Sequence, residues 1–386
     1  MMQAELALNI SKRATRIAVS VYFFLAGLCF SSWASRIPNI QQTLQLSEAE
    51  LGSILLSLPI GLVVSLPFSG ILVQKFGSRS IAVIAAICYA STLPFLGLAT
   101  QVWHLATTLF FFGFFGNLLN ISMNTQAVGI ETIYGRSIMA SFHGLWSLAG
   151  FTGASVGTLM VSQNVQPFTH FCIVAAAEII TVFITYKYLL QRDAQHAKKQ
   201  PLFVKPDLYL LKLGLIAMYC MICEGAMFDW SGVYFRKVVL APLNLITLGY
   251  TAFMSTMAGG RFAGDWLSER LGKKRMIQLS GIVIAAGLLT AVAFPYIITA
   301  TIGFLFVGVG VSSVVPLVYG SAGRSKTMSA GMALAAVSTI GYFGFLFGPP
   351  VIGFIAQASS LRWSFTLIAV LGFCTTLLST FTRIEK

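Results

Sequence analysis

The sequence predicts an all-α membrane protein with twelve transmembrane helices in two six-helix bundles. Three observations lead there. First, 56% of the 386 residues are hydrophobic and 10% are charged, with mean hydropathy +0.82. Soluble domains carry about 25% charged residues, so the solvent for these side chains is lipid. Second, the basic, glycine-containing stretch Leu72-Val73-Gln74-Lys75-Phe76-Gly77-Ser78-Arg79 recurs half a chain later as Leu267-Ser268-Glu269-Arg270-Leu271-Gly272-Lys273-Lys274. Each copy closes one apolar segment and is followed at once by another, which marks a tandem repeat. Third, lysine and arginine gather on one side of the segments.

A spanning helix needs about 20 apolar residues, and long continuous runs argue against strands of about ten alternating residues. The runs predict spans near residues 15–36, 49–74, 80–99, 103–130, 138–161 and 167–189, then 208–233, 245–268, 275–294, 297–320, 328–356 and 362–381. With the N-terminus inside, twenty basic residues fall on one side. Arg36, Arg236, Lys237 and Arg362 fall on the other, and Arg261 lies within a span. This bias predicts that both termini are cytoplasmic. The net charge of +13 is thus topological, and nucleic acid is not an expected partner. Residues 1–190 form the first expected bundle, 191–206 a cytoplasmic linker, and 207–386 the second bundle.

The first span is too long for a cleavable signal peptide. Six cysteines all lie in apolar segments. Cys220 and Cys223 have CxxC spacing, but mid-helix and without a second pair, so packing is the stronger reading. Glycines such as Gly144, Gly150, Gly153 and Gly157 suit close helix contacts in lipid. Pro59, Pro67, Pro316, Pro349 and Pro350 sit inside spans, where they mark kinks.

Twelve spans, a central loop and the paired basic turn resemble the major facilitator superfamily. The family turn reads roughly G-x-L-x-D-R-x-G-R-R. The second copy keeps Glu269, Arg270, Gly272, Lys273 and Lys274, whereas the first has Gln74 in the acidic position. Ser32-Trp33-Ala34-Ser35-Arg36-Ile37-Pro38, Asn124, His143-Gly144, Glu224-Gly225, Asp229-Trp230 and Gly348-Pro349-Pro350 resemble the fucose-permease-like branch more closely, in particular its YbjJ-type inner-membrane proteins. The resemblance implies alternating access, in which the halves rock about a central site. It also implies gating roles for Lys75, Arg79, Arg261, Glu269 and Arg270. The sugar permeases place acids on spans one and four; here span one has none, and the span-four position holds Asn120.

Charges within a bilayer cost about 2.5–3.5 kcal/mol on insertion scales, so each needs a reason. Glu224 and Asp229 on span seven are the foremost proton-coupling candidates. Glu224 lies roughly 24 Å along that helix at 1.5 Å per residue. The competing reading for each is a structural hydrogen bond, or simple wetting for Asp229. His143 could relay protons, bind solute or pack. Arg261, about 13 Å above Arg270 along its helix, could grip an anion or latch a gate by pairing with Asp265 or Glu131. Arg36 is read either as a vestibule contact or as a snorkelling residue. Glu178 is placed more weakly, on a helix that packs outside the family's cavity.

Asn117, Asn120 and Asn124 recur on one helical stripe. Their amides suit hydroxyl-rich solutes, or equally serve as interhelical glue. Trp33, Trp146, Trp230 and Tyr342 could supply apolar faces to a ring. Asn120, Asn124, His143, Trp146, Trp33, Arg36, Trp230 and Tyr342 are therefore the solute-binding candidates. The expected protein is a secondary transporter in the plasma (inner) membrane, coupled to protons and moving a sugar or other small polar solute. A multidrug or metabolite exporter of the same fold is the alternative. No cofactor is expected, and a monomer is. No HExxH or Walker loop is present, so neither enzymatic chemistry nor ATP is expected.

Overall fold

The computed structural model describes residues 11–135, 138–191, 206–325, 327–328, 330–382 and 384, and it leaves aside the side chain of Asp265 and a few small residues. Most of the expected 191–206 linker therefore lies outside the described residues. The described chain folds into long helices. In order these are α1 (Lys12–Thr43), α2 (Glu48–Leu55), α3 (Ser57–Phe76), α4 (Ser78–Gly97), α5 (Val102–Tyr134), α6 (Met139–Ser162) and α7 (Pro167–Thr185). There follow α8 (Leu208–Lys237), α9 (Leu248–Leu271), α10 (Lys273–Ala293), α11 (Ile297–Ala322), α12 (Ala330–Ala358) and α13 (Leu361–Thr380).

Among the described residues, eleven segments are long and apolar enough to cross a membrane, with α2 and α3 counting as one. The twelfth, α9, has the length but is less apolar, because it carries Arg261, Asp265, Glu269 and Arg270. The all-helical, twelve-span expectation therefore holds, with ends displaced by a few residues. The largest displacement is in α1, which runs on through Pro38 to Thr43. A proline removes one intrahelical bond, and here the helix continues past it.

Contacts divide the chain into two compact units, residues 1–44 with 57–197 and residues 45–56 with 198–386. The same packing scheme operates inside each. In the first unit, α1 packs on α6, α3 on α5, α4 on α5, and α4 on α7. In the second, α8 packs on α12, α9 on α11, α10 on α11, and α10 on α13. Each unit thus pairs its first span with its fifth, second with fourth, third with fourth, and third with sixth.

The repeated basic turn has one backbone geometry. Gly77 has φ 81° and ψ 148°, and Gly272 has φ 78° and ψ 145°. That region is essentially reserved for glycine, so each turn needs a residue without Cβ for the chain to reverse directly into the next helix. Close approach is a second use of glycine: at Gly61 and Gly113 of the α3/α5 pair, an added Cβ would strike the backbone of Phe110 and Leu58, respectively.

The segment 45–56 groups with the second unit. Ser47 caps α2 in a reciprocal capping box with Glu50. Gly52 and Gly353 bring α2 and α12 into backbone contact beside Pro349 and Pro350. Glu48 accepts an ion-paired hydrogen bond from Lys237 at the end of α8. The continuous second span expected from the sequence is broken at Leu56, and the break gives its two parts to different packing partners.

Candidate functional site

Four helices of the second unit bring a polar cluster together. α8 is buried along most of its length and carries Glu224, itself only 6% exposed. Gly225 beside it leaves space that Phe345 of α12 occupies. α9 lies close to α11 because Gly260 sits against Ser312 and Gly308 against the Phe253 backbone. From α9, Arg261 Nη2 donates to Glu224 Oε1 at 3.1 Å. The Arg261 and Glu224 side chains are 20% and 8% exposed, so the pair is shielded without being sealed.

Two tyrosines border this pair. Tyr319 of α11 and Tyr342 of α12 both lie within electrostatic reach of Glu224. Among the described residues Tyr319 Oη is buried without a hydrogen-bond partner, and Gly341 lies beside it. Tyr342 is 42% exposed and forms the accessible side of the cluster. A guanidinium, a carboxylate and two phenols can exchange hydrogen bonds with a hydroxylated solute and hold or release a proton.

Asp229 is half-buried, one and a half turns beyond Glu224 along α8. Trp230 is fully buried, and its indole Nε1 has no partner among the described residues. Of the expected Arg261 partners, Glu131 instead accepts from the Ile138 and Met139 amides at 2.7 and 2.9 Å, tying down the start of α6. The side chain of Asp265 lies outside the described residues. Cys220 and Cys223 point to different carbonyls, Val311 on α11 and Ile368 on α13. Among the described residues, no group of three or more His, Cys, Asp or Glu side chains could hold a metal.

In the first unit, Arg36 is enclosed at 2% exposure, and its Nε donates to His170 Nδ1 of α7 at 3.1 Å. Trp33, one turn earlier, is also buried, with its Nε1 unpartnered among the described residues. Glu178 is 2% exposed near Cys29. Asn117 donates to Ser65 Oγ at 2.6 Å and joins α5 to α3. Asn124 Nδ2 donates to Asn120 Oδ1 at 2.9 Å, and both residues stay half-buried. His143 is exposed, with its ring edge-on to Phe23, and half-buried Trp146 lies 6.2 Å from the Phe30 ring.

The turn residues occupy the helix ends. Arg79 Nε donates to the Tyr186 carbonyl at 3.3 Å, and Lys75 is exposed beside Phe76. The Arg270 guanidinium stacks 4.2 Å from the Trp266 ring, while Glu269 is exposed. Two residues were not singled out by the sequence. His170 carried the same signal as His143, a histidine inside an apolar span, whereas Tyr319 carried none.

The profile of the Major Facilitator Superfamily matches residues 19–327 and again 241–386. An uncharacterised MFS-type transporter of Yersinia pestis is 33% identical over 356 residues, covering 92% of each chain. Among solved structures, a D-xylose-proton symporter superposes with TM-score 0.75 at 14% identity, covering 96% of this chain and 98% of its own. The nucleoside transporter NupG gives TM-score 0.74 at 14% identity, covering 96% of this chain and 100% of its own.

Proposed function

The chain belongs to the Major Facilitator Superfamily, and from that premise we propose a proton-coupled secondary transporter that moves a small polar organic solute, a sugar or sugar derivative, by alternating access. It is a multi-pass membrane transporter and not an enzyme. The finer reading places it in the fucose-permease-like branch, beside the YbjJ-type proteins. It acts as a monomer in the bacterial inner membrane, with both termini cytoplasmic.

The observation that carries this reading is the Glu224–Arg261 pair with its two tyrosines. Charged groups inside a membrane protein are costly and mark solute or proton paths. A carboxylate beside a guanidinium stays ionised; separated from it in an apolar surrounding, the same group takes up a proton. Alternating access then needs only that the pair be made in one state and broken in another. The solute supplies hydrogen bonds to Arg261, Tyr342 and Tyr319 while Glu224 carries the proton. Half-buried Asn120 and Asn124 offer amide donors and acceptors of the kind a hydroxylated solute needs. The same fold serves a D-xylose-proton symporter and a nucleoside transporter, so polar cargo lies within the range of the architecture.

The test begins with a thermal-shift screen of sugars, sugar acids and nucleosides, since a bound solute stabilises by mass action. The best ligand is then followed in proteoliposomes under an imposed pH gradient. Glu224→Gln is expected to abolish proton-driven accumulation while preserving solute exchange. Undiminished accumulation with an unchanged pH profile would remove Glu224 from the coupling step.

A further inference from the structure

We infer that the second unit carries a binding site for an anionic phospholipid headgroup, separate from the Glu224–Arg261 cluster. A cavity of about 500 Å³ opens where the start of α8, the start of α10 and the ends of α11 and α13 meet. Lys212, Lys273 and Arg324 line it, and among the described lining residues Asp207 is the one carboxylate.

That carboxylate is committed to the cavity wall. Asp207 Oδ1 accepts from the Leu210 amide at 2.8 Å, and Oδ2 accepts from Thr327 Oγ1 at 2.6 Å. It caps α8 and ties that helix to the residues following α11. Both contacts stabilise the ionised form and hold the acid below the usual carboxylate range. Lys212 Nζ donates to the Phe381 carbonyl at 3.1 Å, which fixes the ammonium in place and leaves it two further donors. Among the described residues, neither Lys212 nor Arg324 has a carboxylate within 4.0 Å. Among the described residues, Lys212 and Arg324 therefore bring the cavity positive charge that its acid, already engaged, does not pair.

The apolar rim separates a lipid from a free phosphate. Leu208 and Phe381 line the same cavity and are 66% and 72% exposed. Both stand where apolar spans end, at the level of a membrane interface. A phosphodiester can lie among Lys212, Lys273 and Arg324 while glycerol and upper acyl carbons cover Leu208 and Phe381. Basic pockets between helix ends at a membrane surface recognise acidic headgroups by this division of labour. A soluble phosphate would leave both apolar side chains bare.

The purified full chain in a neutral detergent tests the site, with melting temperature and native mass spectrometry as readouts. Phosphatidylglycerol is expected to raise the melting temperature more than phosphatidylcholine and to give a retained lipid adduct. Arg324→Gln and Lys273→Gln together should weaken that adduct by roughly tenfold or more while keeping the phosphatidylcholine baseline. Lys212→Gln also loses a bond to the fold, so the exposed Arg324 variant is additionally read alone. Equal shifts from the two lipids would overturn the inference, as would a double variant that binds phosphatidylglycerol like the parent. A shift from inorganic phosphate or glycerophosphoglycerol matching that from phosphatidylglycerol would overturn the lipid assignment in favour of a soluble phosphate.

Discussion

Arg261 Nη2 donates to Glu224 Oε1 at 3.1 Å across the α8/α9 contact, joining one cation and one anion from two different spans. Removing one member of a buried pair strands the other, at a cost of about 3–5 kcal/mol, whereas replacing both members is often neutral. Arg261 is 20% exposed, so the cost here belongs at or below the low end of that range. Arg261→Gln alone should therefore lower the melting temperature clearly. Adding Glu224→Gln should restore much of the loss. A double-mutant cycle with no coupling between the sites would show that the contact contributes nothing to the fold.

Arg36 poses a different problem, because its partner His170 is neutral when its Nδ1 accepts from Arg36 Nε at 3.1 Å. Arg36 Nη2 and His170 Nε2 are buried without further partners among the described residues. His170→Ala removes the acceptor that Arg36 Nε has among the described residues, and an orphaned charged donor costs about 1–3 kcal/mol or more. Arg36→Met in the same background removes the charge and should recover that loss. If the double variant is less stable than His170→Ala alone, Arg36 has an interaction of its own that outweighs its burial.

These examples show where the sequence was legible. The spans could be read because each is a run of apolar residues near bilayer length, and the repeat because two glycine turns share their flanking basic residues. α9 is less apolar because it carries Arg261, Asp265, Glu269 and Arg270, and the repeated turn at its end supports its reading as a span. The break at Leu56 left no signal, since Gly52 and Gly353 acquire meaning only once α2 lies against α12. The Glu224 partner was hidden for a related reason. By sequence Arg261 could pair with Asp265 or Glu131; Glu131 is engaged by the α6 amides, and the Asp265 side chain lies outside the described residues. The partners of Arg36 and Asn117 lie 134 and 52 residues away, beyond any local pattern.

Gly77 and Gly272 offer a test in which sterics and backbone strain separate. Among the described residues nothing lies within 4 Å of a Cβ at either position, so alanine would meet none of them. Its cost is the strained backbone alone, about 1–3 kcal/mol at each site. Gly70 is equally open but lies inside α3 with helical geometry, where alanine should be neutral or stabilising by up to about 1 kcal/mol. Thermal denaturation of the three single variants should place Gly70→Ala at or above the parent and the other two below it. Parental stability in Gly77→Ala and Gly272→Ala would mean that the turns relax without cost.

Asp207 lies outside the spans and gives a pH dependence whose sign is fixed. Its carboxylate accepts from the Leu210 amide and from Thr327, so its folded-state pKa lies below the usual value. A group depressed on folding contributes stability that is fully present above its unfolded pKa, about 3.9. That contribution is lost as pH falls through the lower folded value. Loss of a capping aspartate costs about 0.5–2 kcal/mol. The melting temperatures of the parent and Asp207→Ala should thus differ by a constant amount between about pH 5 and 8 and converge below about pH 4. Asn accepts the same cap bond, so Asp207→Asn should retain part of the difference while losing its pH dependence. A gap between parent and alanine variant that widens on acidification would reverse the sign and exclude the ionised carboxylate as the stabilising form.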